Sequence, residues 1–304
     1  MDTISLNGQL LQYDDARIAP GDAGLLHGAG LFETMRVRNG KIFRAADHLA
    51  RISASAKTLG LDFSLTLPQL TELAADLLEA NDYTDSRLRL TITRGDLHDI
   101  TAENPTPPLT LLVTAAPFAP YPAAAYEKGM TVITSPYAQV PQNPLTGHKS
   151  TSYFERLLAL RKAHAATAGE ALWFTMDQHL AEGSISNVFL IDAHGVLSTP
   201  PVEVGIQAGR GSSPAVGRLC LPGITRKLVL ELAAAAQIKT QERLLTLPDI
   251  LSAREVFLTN AIMGIMPVTH LEQHAITDGK PGPVARQLRE AYNRRLEEEC
   301  PPSS

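Results

Sequence analysis

The chain has 304 residues, 44% of them hydrophobic and 19% charged, with a net charge of −5 at pH 7. That length suits one large domain or two of ordinary size, and the acidic balance excludes the basic footprint of a nucleic-acid binder. Two cysteines, Cys220 and Cys300, imply no disulfide framework; no apolar run approaches the ~20 residues that span a bilayer, and the opening MDTISLNGQ lacks a secretory pattern, so a cytoplasmic location is expected.

Hairpin signals come first. Asn7-Gly8 separates ISL from QLLQY, and Asn39-Gly40 separates FETMRVR from KIFR; both are type I′ turn dipeptides. A glycine-rich stretch, GDAGLLHGAGLFE, lies between them. After Asp47, Leu49, Ile52, Ala56 and Leu59 fall on one helical face, and Pro68 marks the start of a second helix with Leu70, Leu73 and Leu77 inward. RLRLTITRG and LTLLVTAA read as strands. PFAPYPAAAYEKG, with three prolines and few charges, reads as a connector. The expected organisation is a small domain over 1–118, a connector over 119–128 and a larger domain over 129–304.

Beyond the connector, MTVITS is a strand, and Leu157, Leu158 and Leu160 recur among charged residues as in a half-buried helix. ALWFTM, LAEG and SNVFLI form a second meander of strands; GITRKLVLELAAAA is a helix, EVFLTN a strand, and PGPVARQLREAYNRRLEEE a closing helix. The architecture is therefore mixed α and β in two parts.

Three features could carry chemistry. Lys149, in TGHKSTS, stands before a helix among small residues. A surface lysine in a turn would look the same, but a lysine there could also form an imine with an aldehyde once part of its amine is deprotonated. Glu182, in LAEGSIS, suits either a turn or a carboxylate that keeps a pyridinium nitrogen protonated. Gly223-Ile224-Thr225 opens a helix and presents backbone N–H groups to an anion, or is simply capped by Thr225. The turn in FLTNAIMG and Arg51, on the polar flank of the first helix, would also suit a phosphate. Together these supply an amine, an acid for a ring nitrogen and an anion cradle.

GLLHGAGLFETMRV, HLARI, HKSTSYFERLLALR, LAEGSISNVFL, LPGITRKLVLELA and FLTNAIMGIMPV, in that order, resemble the class IV (fold type IV) pyridoxal-phosphate enzymes, along nearly the whole chain. That family holds branched-chain and D-amino acid aminotransferases and 4-amino-4-deoxychorismate lyases. The resemblance implies two domains with pyridoxal 5′-phosphate in the cleft between them, and a homodimer. It implies that Lys149 forms the Schiff base and moves protons at the substrate α-carbon, and that Glu182 binds the ring nitrogen. Arg51, Ile224, Thr225 and the backbone at Ala261 would hold the phosphate, and Tyr153 would reach the ring hydroxyl. The small neighbours Gly147, Ser150 and Ser152 are expected to leave room for the ring.

NAIMGIMPV is similar to the lyase pattern, so the expected activity is conversion of aminodeoxychorismate to p-aminobenzoate and pyruvate. Ala261, Ile262 and Met263 occupy the turn that serves phosphate and substrate carboxylate in the aminotransferases. Arg94 and Thr34 are further substrate candidates. The alternatives are a class IV aminotransferase, and a catalytically silent protein that binds the cofactor. The stretch VEVGIQAGRGSSPAVGRLC is longer than the corresponding family loop; its composition suits a surface excursion, the alternative being a change in cofactor access or in the dimer contact, and Arg210 and Arg218 in it receive no role. The histidines show no paired ligand spacing for a metal, and His148 reads as structural or as a support to its neighbour Lys149.

Overall fold

A computed structural model describes residues 3–99, 108–206 and 215–302. The chain divides into two units: Met1–Ala119 with His148–Tyr153 and Leu296–Ser304, and Pro120–Gly147 with Phe154–Arg295.

The first unit contains β1 (Thr3–Leu6), β2 (Gln9–Gln12), α1 (Ala23–His27), β3 (Gly30–Arg38), β4 (Lys41–Ile42), α2 (Ala45–Thr58), α3 (Leu67–Ala80), β5 (Ser86–Thr93) and β6 (Thr110–Pro117). Its six strands follow the order β2-β1-β6-β5-β3-β4. Both Asn-Gly turns have positive φ at each residue, 53° and 83° at Asn7-Gly8 and 50° and 71° at Asn39-Gly40, as a type I′ hairpin requires. Alternation along β3 and β5 splits the sheet into two faces. Leu31, Met35 and Val37 join Leu88, Leu90 and Ile92 in a core with Leu49, Ile52 and Ala56 of α2 and Leu70 and Leu77 of α3. Phe32, Thr34 and Arg36, with Arg87, Arg89 and Thr91, belong to the opposite face. Thr66 and Gln69 form a capping box at the start of α3.

The second unit contains α4 (Ala123–Lys128), β7 (Met130–Gln139), α5 (Phe154–Ala165), β8 (Glu170–Thr175), β9 (Leu180–Gly183), β10 (Asn187–Ile191), β11 (Leu197–Thr199), β12 (Glu203–Ile206), β13 (Ala215–Arg218), α6 (Ile224–Ala235), β14 (Thr240–Glu242), α7 (Leu247–Leu251), β15 (Glu255–Asn260), β16 (Gly264–Leu271), β17 (His274–Ala275) and α8 (Pro283–Glu299). Its main sheet runs β14-β11-β10-β15-β16-β7-β8-β9, with β17 on β16. Strands β8 and β10 are buried along their whole length, which is why they read as unbroken apolar runs.

Three features differ from the sequence reading. Residues 148–153 cluster with the first unit because Ser150 bridges to Leu31, with Phe32 N–H donating to Lys149 O at 2.8 Å and Thr151 N–H to Gly30 O at 2.9 Å. The Lys149 segment is thus an extra edge on β3. Within the proline-rich stretch, α4 forms, and Tyr121 and Tyr126 pack on the second unit's core. In α5 the buried residues are Ala159 and Ala163, not the leucines; Leu157 is 53% exposed.

Candidate active site

Lys149 pairs opposite Phe32, so both side chains fall on the face of the first sheet opposite its core. Lys149 Nζ lies 4.3 Å from the Phe32 ring centroid and 5.7 Å from that of Tyr153. Phe32 and Tyr153 meet edge to face at 5.4 Å. The Arg89 guanidinium lies 3.8 Å from the Phe32 centroid, and Arg89 is directly opposite Thr34 in the β3–β5 register. One aromatic ring therefore carries a primary amine and a guanidinium, with a threonine and a phenol beside them. Arg94, the arginine singled out from the sequence, follows β5 and is exposed. Arg89 was legible in RLRLTITR: period two puts it on the face opposite Leu88 and Leu90.

Behind this face Glu33, on the core side of β3, is 1% exposed. Arg51 Nε donates to Glu33 Oε1 at 2.7 Å and Nη2 to Oε2, and His48 Nδ1 stands 2.8 Å from Oε2. Burial alone would raise the Glu33 carboxyl; Arg51 and His48 outweigh it and hold it at about 2. Burial also pushes His48 down, against the pull of Glu33, and the charges of Arg51 and Lys149 act in the same direction as burial. Arg51 is thus a braced cation rather than a solvated one. His148 Nδ1 pairs with Ser55 Oγ at 2.8 Å, a structural contact.

In the second unit Glu182 is the next-to-last residue of β9 and is buried. Its Oε1 accepts from Arg156 Nη2 at 2.7 Å and its Oε2 from the Leu221 N–H at 2.9 Å. The turn after it is pinned by Glu170, which accepts the N–H groups of Ala171, Ser184 and Ile185 and the Ser186 hydroxyl, at 2.8–3.1 Å. Burial raises the Glu170 carboxyl, and these four donors only partly oppose it.

Helix α6 has Gly223 at its N-cap and no side-chain cap, which leaves first-turn amides for an anion. A Cβ on Gly223 would lie 1.9 Å from Asn187 Oδ1, so the turn needs glycine. Thr225 is buried in the helix's first turn. In the turn after β15, Asn260 Oδ1 accepts from Ile262 N–H at 2.9 Å and Met263 N–H at 2.8 Å. Met263 is 4% exposed and belongs to the core, and its carbonyl accepts from Tyr126. Met263, a substrate candidate from the sequence, thus has its side chain in the core and its backbone N–H and carbonyl hydrogen-bonded. Ile262 keeps a partly exposed side chain, with its amide taken. Ala261 precedes the two capped amides.

Gly147 adopts φ +77°, and a Cβ there would lie 2.5 Å from Arg218 Cδ. Arg218 belongs to the β12–β13 hairpin and is fastened by its own N–H to Pro141 O at 3.1 Å. The long stretch is thus a hairpin at its base, and three residues after its return strand the Leu221 N–H donates to Glu182. Arg210 lies outside the described residues. Among the described residues no group of three His, Cys, Asp or Glu could hold a metal ion.

The family model for class IV amino-transferases matches residues 30–271. The chain belongs to the class IV aminotransferase family. A provisionally named branched-chain-amino-acid aminotransferase of Methanocaldococcus jannaschii is 32% identical over 292 residues, covering 95% of this chain and 94% of the relative. A D-alanine aminotransferase of Staphylococcus epidermidis is 28% identical, covering 98% and 99%. Among solved structures, the branched-chain amino acid aminotransferase of Escherichia coli superposes with TM-score 0.85 at 26% identity, covering 98% of this chain and 95% of that one. A provisionally named 4-amino-4-deoxychorismate lyase of Legionella pneumophila gives 0.80 at 26%, covering 93% and 97%. As a class IV aminotransferase family member, the chain is a pyridoxal-phosphate enzyme of fold type IV that acts on a small amino substrate. Among the described residues no helix is long and apolar enough to cross a membrane.

Proposed function

We propose that the protein is a class IV aminotransferase that moves an amino group from an amino acid to a 2-oxo acid. The full-length likeness to enzymes named for branched-chain and D-amino acid transamination supports this, and it reverses the order of the two activities read from NAIMGIMPV. The observation that carries the site is the pairing of Lys149 and Arg89 on the Phe32 ring: an amine for the cofactor aldehyde beside a guanidinium for a carboxylate.

The residues present fit the cofactor. Lys149 provides the amine, Glu182 the acid for the ring nitrogen, and Tyr153 the contact to the ring hydroxyl. Uncapped α6, with Ile224 and Thr225, and the backbone at Ala261 suit the phosphate, and Arg51 of the first unit is the further cation that the family resemblance assigns to it. When bound, the cofactor's cationic ring withdraws electrons from the substrate α-carbon. The Lys149 amine would take and return the proton at that carbon. Arg89 and Thr34 orient the substrate carboxylate. The reading carries with it a cytoplasmic homodimer; Leu25 and Leu26 of α1, 69% and 51% exposed, are the apolar surface that a second copy would cover.

The lyase is the second reading, favoured by NAIMGIMPV and by the Legionella neighbour. Purified holoenzyme given amino acids with 2-oxoglutarate is expected to form the corresponding 2-oxo acids and glutamate. If it instead leaves every amino acid untouched and releases p-aminobenzoate and pyruvate from aminodeoxychorismate, the second reading replaces the first.

A further inference from the structure

Arg156 is the unassigned group nearest to the second unit's candidate chemistry. It lies on α5 at the position three before buried Ala159 and seven before buried Ala163, so its helical face is the packed one. Its Nη2 donates to Glu182 Oε1 at 2.7 Å and to Gln139 Oε1 at 2.8 Å, and its Nη1 to Gly183 O at 2.9 Å. The guanidinium lies 4.5 Å from the Trp173 ring centroid, and the indole N–H is itself held by Ser184 Oγ at 3.0 Å. The two charged side chains are 17% and 8% exposed. This is more fixation than a surface ion pair receives.

We propose that Arg156 is the positioning residue for Glu182: it fixes the orientation of that carboxylate, so that the ring nitrogen of the cofactor meets an immobile acceptor. The proposal rests on the reading of Glu182 given above. A carboxylate offers about four acceptor positions. Arg156 and the more distant Gln139 amide, at 3.5 Å, take Oε1. Oε2 carries the Leu221 N–H and retains a lone pair for one further donor. Without Arg156, Oε1 keeps only the Gln139 amide at 3.5 Å, and the carboxylate is held in place through Oε2 alone.

The other charged or titratable groups acting around this acid are few. Cys220 is pushed up by burial first, then by Glu182 and Glu242, with Arg226 and Arg156 opposing. Arg226 is paired with Glu242, while Arg156 makes a direct ion pair with Glu182.

The test compares wild type, R156M and R156K as holoenzymes, recording the visible absorption band of the bound cofactor against pH and the loss of cofactor on dialysis. Removing the cation makes the site more negative, so the pH midpoint of the band is expected to rise in R156M by about one unit. Cofactor loss should become at least about tenfold faster, as when a partner orienting a ligating group is removed. R156K, which keeps the charge but not the fork, should recover part of both effects. An arginine that served only to pack α5 would lower the melting temperature and leave midpoint and retention at wild-type values; that result overturns the proposal. If R156M does not fold, R156K carries the test, with wild-type values again overturning it. A wild type that shows no band at all would instead defeat the reading of Lys149 and Glu182.

Discussion

Glu33 and Glu170 are both about 1% exposed, and they differ in what surrounds them. Glu33 faces a guanidinium and an imidazole and is held at about 2. Glu170 faces three backbone N–H groups and a hydroxyl and is raised. Four neutral donors do not offset burial here, whereas charged partners more than offset it. The first unit therefore uses a buried acid to brace a cation, Arg51, and the second uses one to hold a turn, residues 184–186.

Several substitutions break or sharpen this contrast. The largest effect is expected outside it: Lys149→Ala should abolish the visible cofactor band and turnover while the protein still folds, as read by absorption and circular dichroism. Glu33→Gln should come next. It leaves Arg51 buried beside a neutral amide, and losing one partner of a buried ion pair costs about 3–5 kcal/mol, measurable by urea unfolding. The depressed value of Glu33, from 4.5 to about 2, corresponds to roughly 3 kcal/mol. That stability is present above 4.5 and is lost as pH falls towards 2, so the gap between wild type and variant should close over that window.

Glu170→Gln should cost about 1–3 kcal/mol, because its amide N–H₂ meets donors rather than acceptors. Its pH dependence has the opposite sign. The raised carboxyl contributes stability that is fully present below its unfolded value and is lost as pH rises through the folded one, so the gap should be widest in acid. A gap that widens with pH in both variants would contradict the contrast. Ser186→Ala removes one of the four donors and should cost about 1 kcal/mol, with the turn and the cofactor band retained.

Local chemistry was legible where it is local. Asn7-Gly8, Asn39-Gly40 and the Pro68 helix start each act within a few residues, and the structure follows them. The amine, acid and anion cradle at Lys149, Glu182 and Thr225 were visible as residue types in order. Partners brought by distant pairing were not. The edge pairing of Ser150 with Leu31 moves the Lys149 segment into the first unit, and no local signal in TGHKSTS announces it. Glu33, in the middle of FETMRV, acquires meaning only when α2 packs His48 and Arg51 against it. Arg156 was readable in principle, from its spacing to Ala159 and Ala163, but three neighbouring leucines drew the apolar face elsewhere.

The most direct test is reduction of the cofactor-loaded protein with borohydride, followed by peptide mapping. The account predicts a phosphopyridoxyl group on the peptide containing Lys149 and on no other lysine. An unmodified Lys149, or a label on a different lysine, would contradict it.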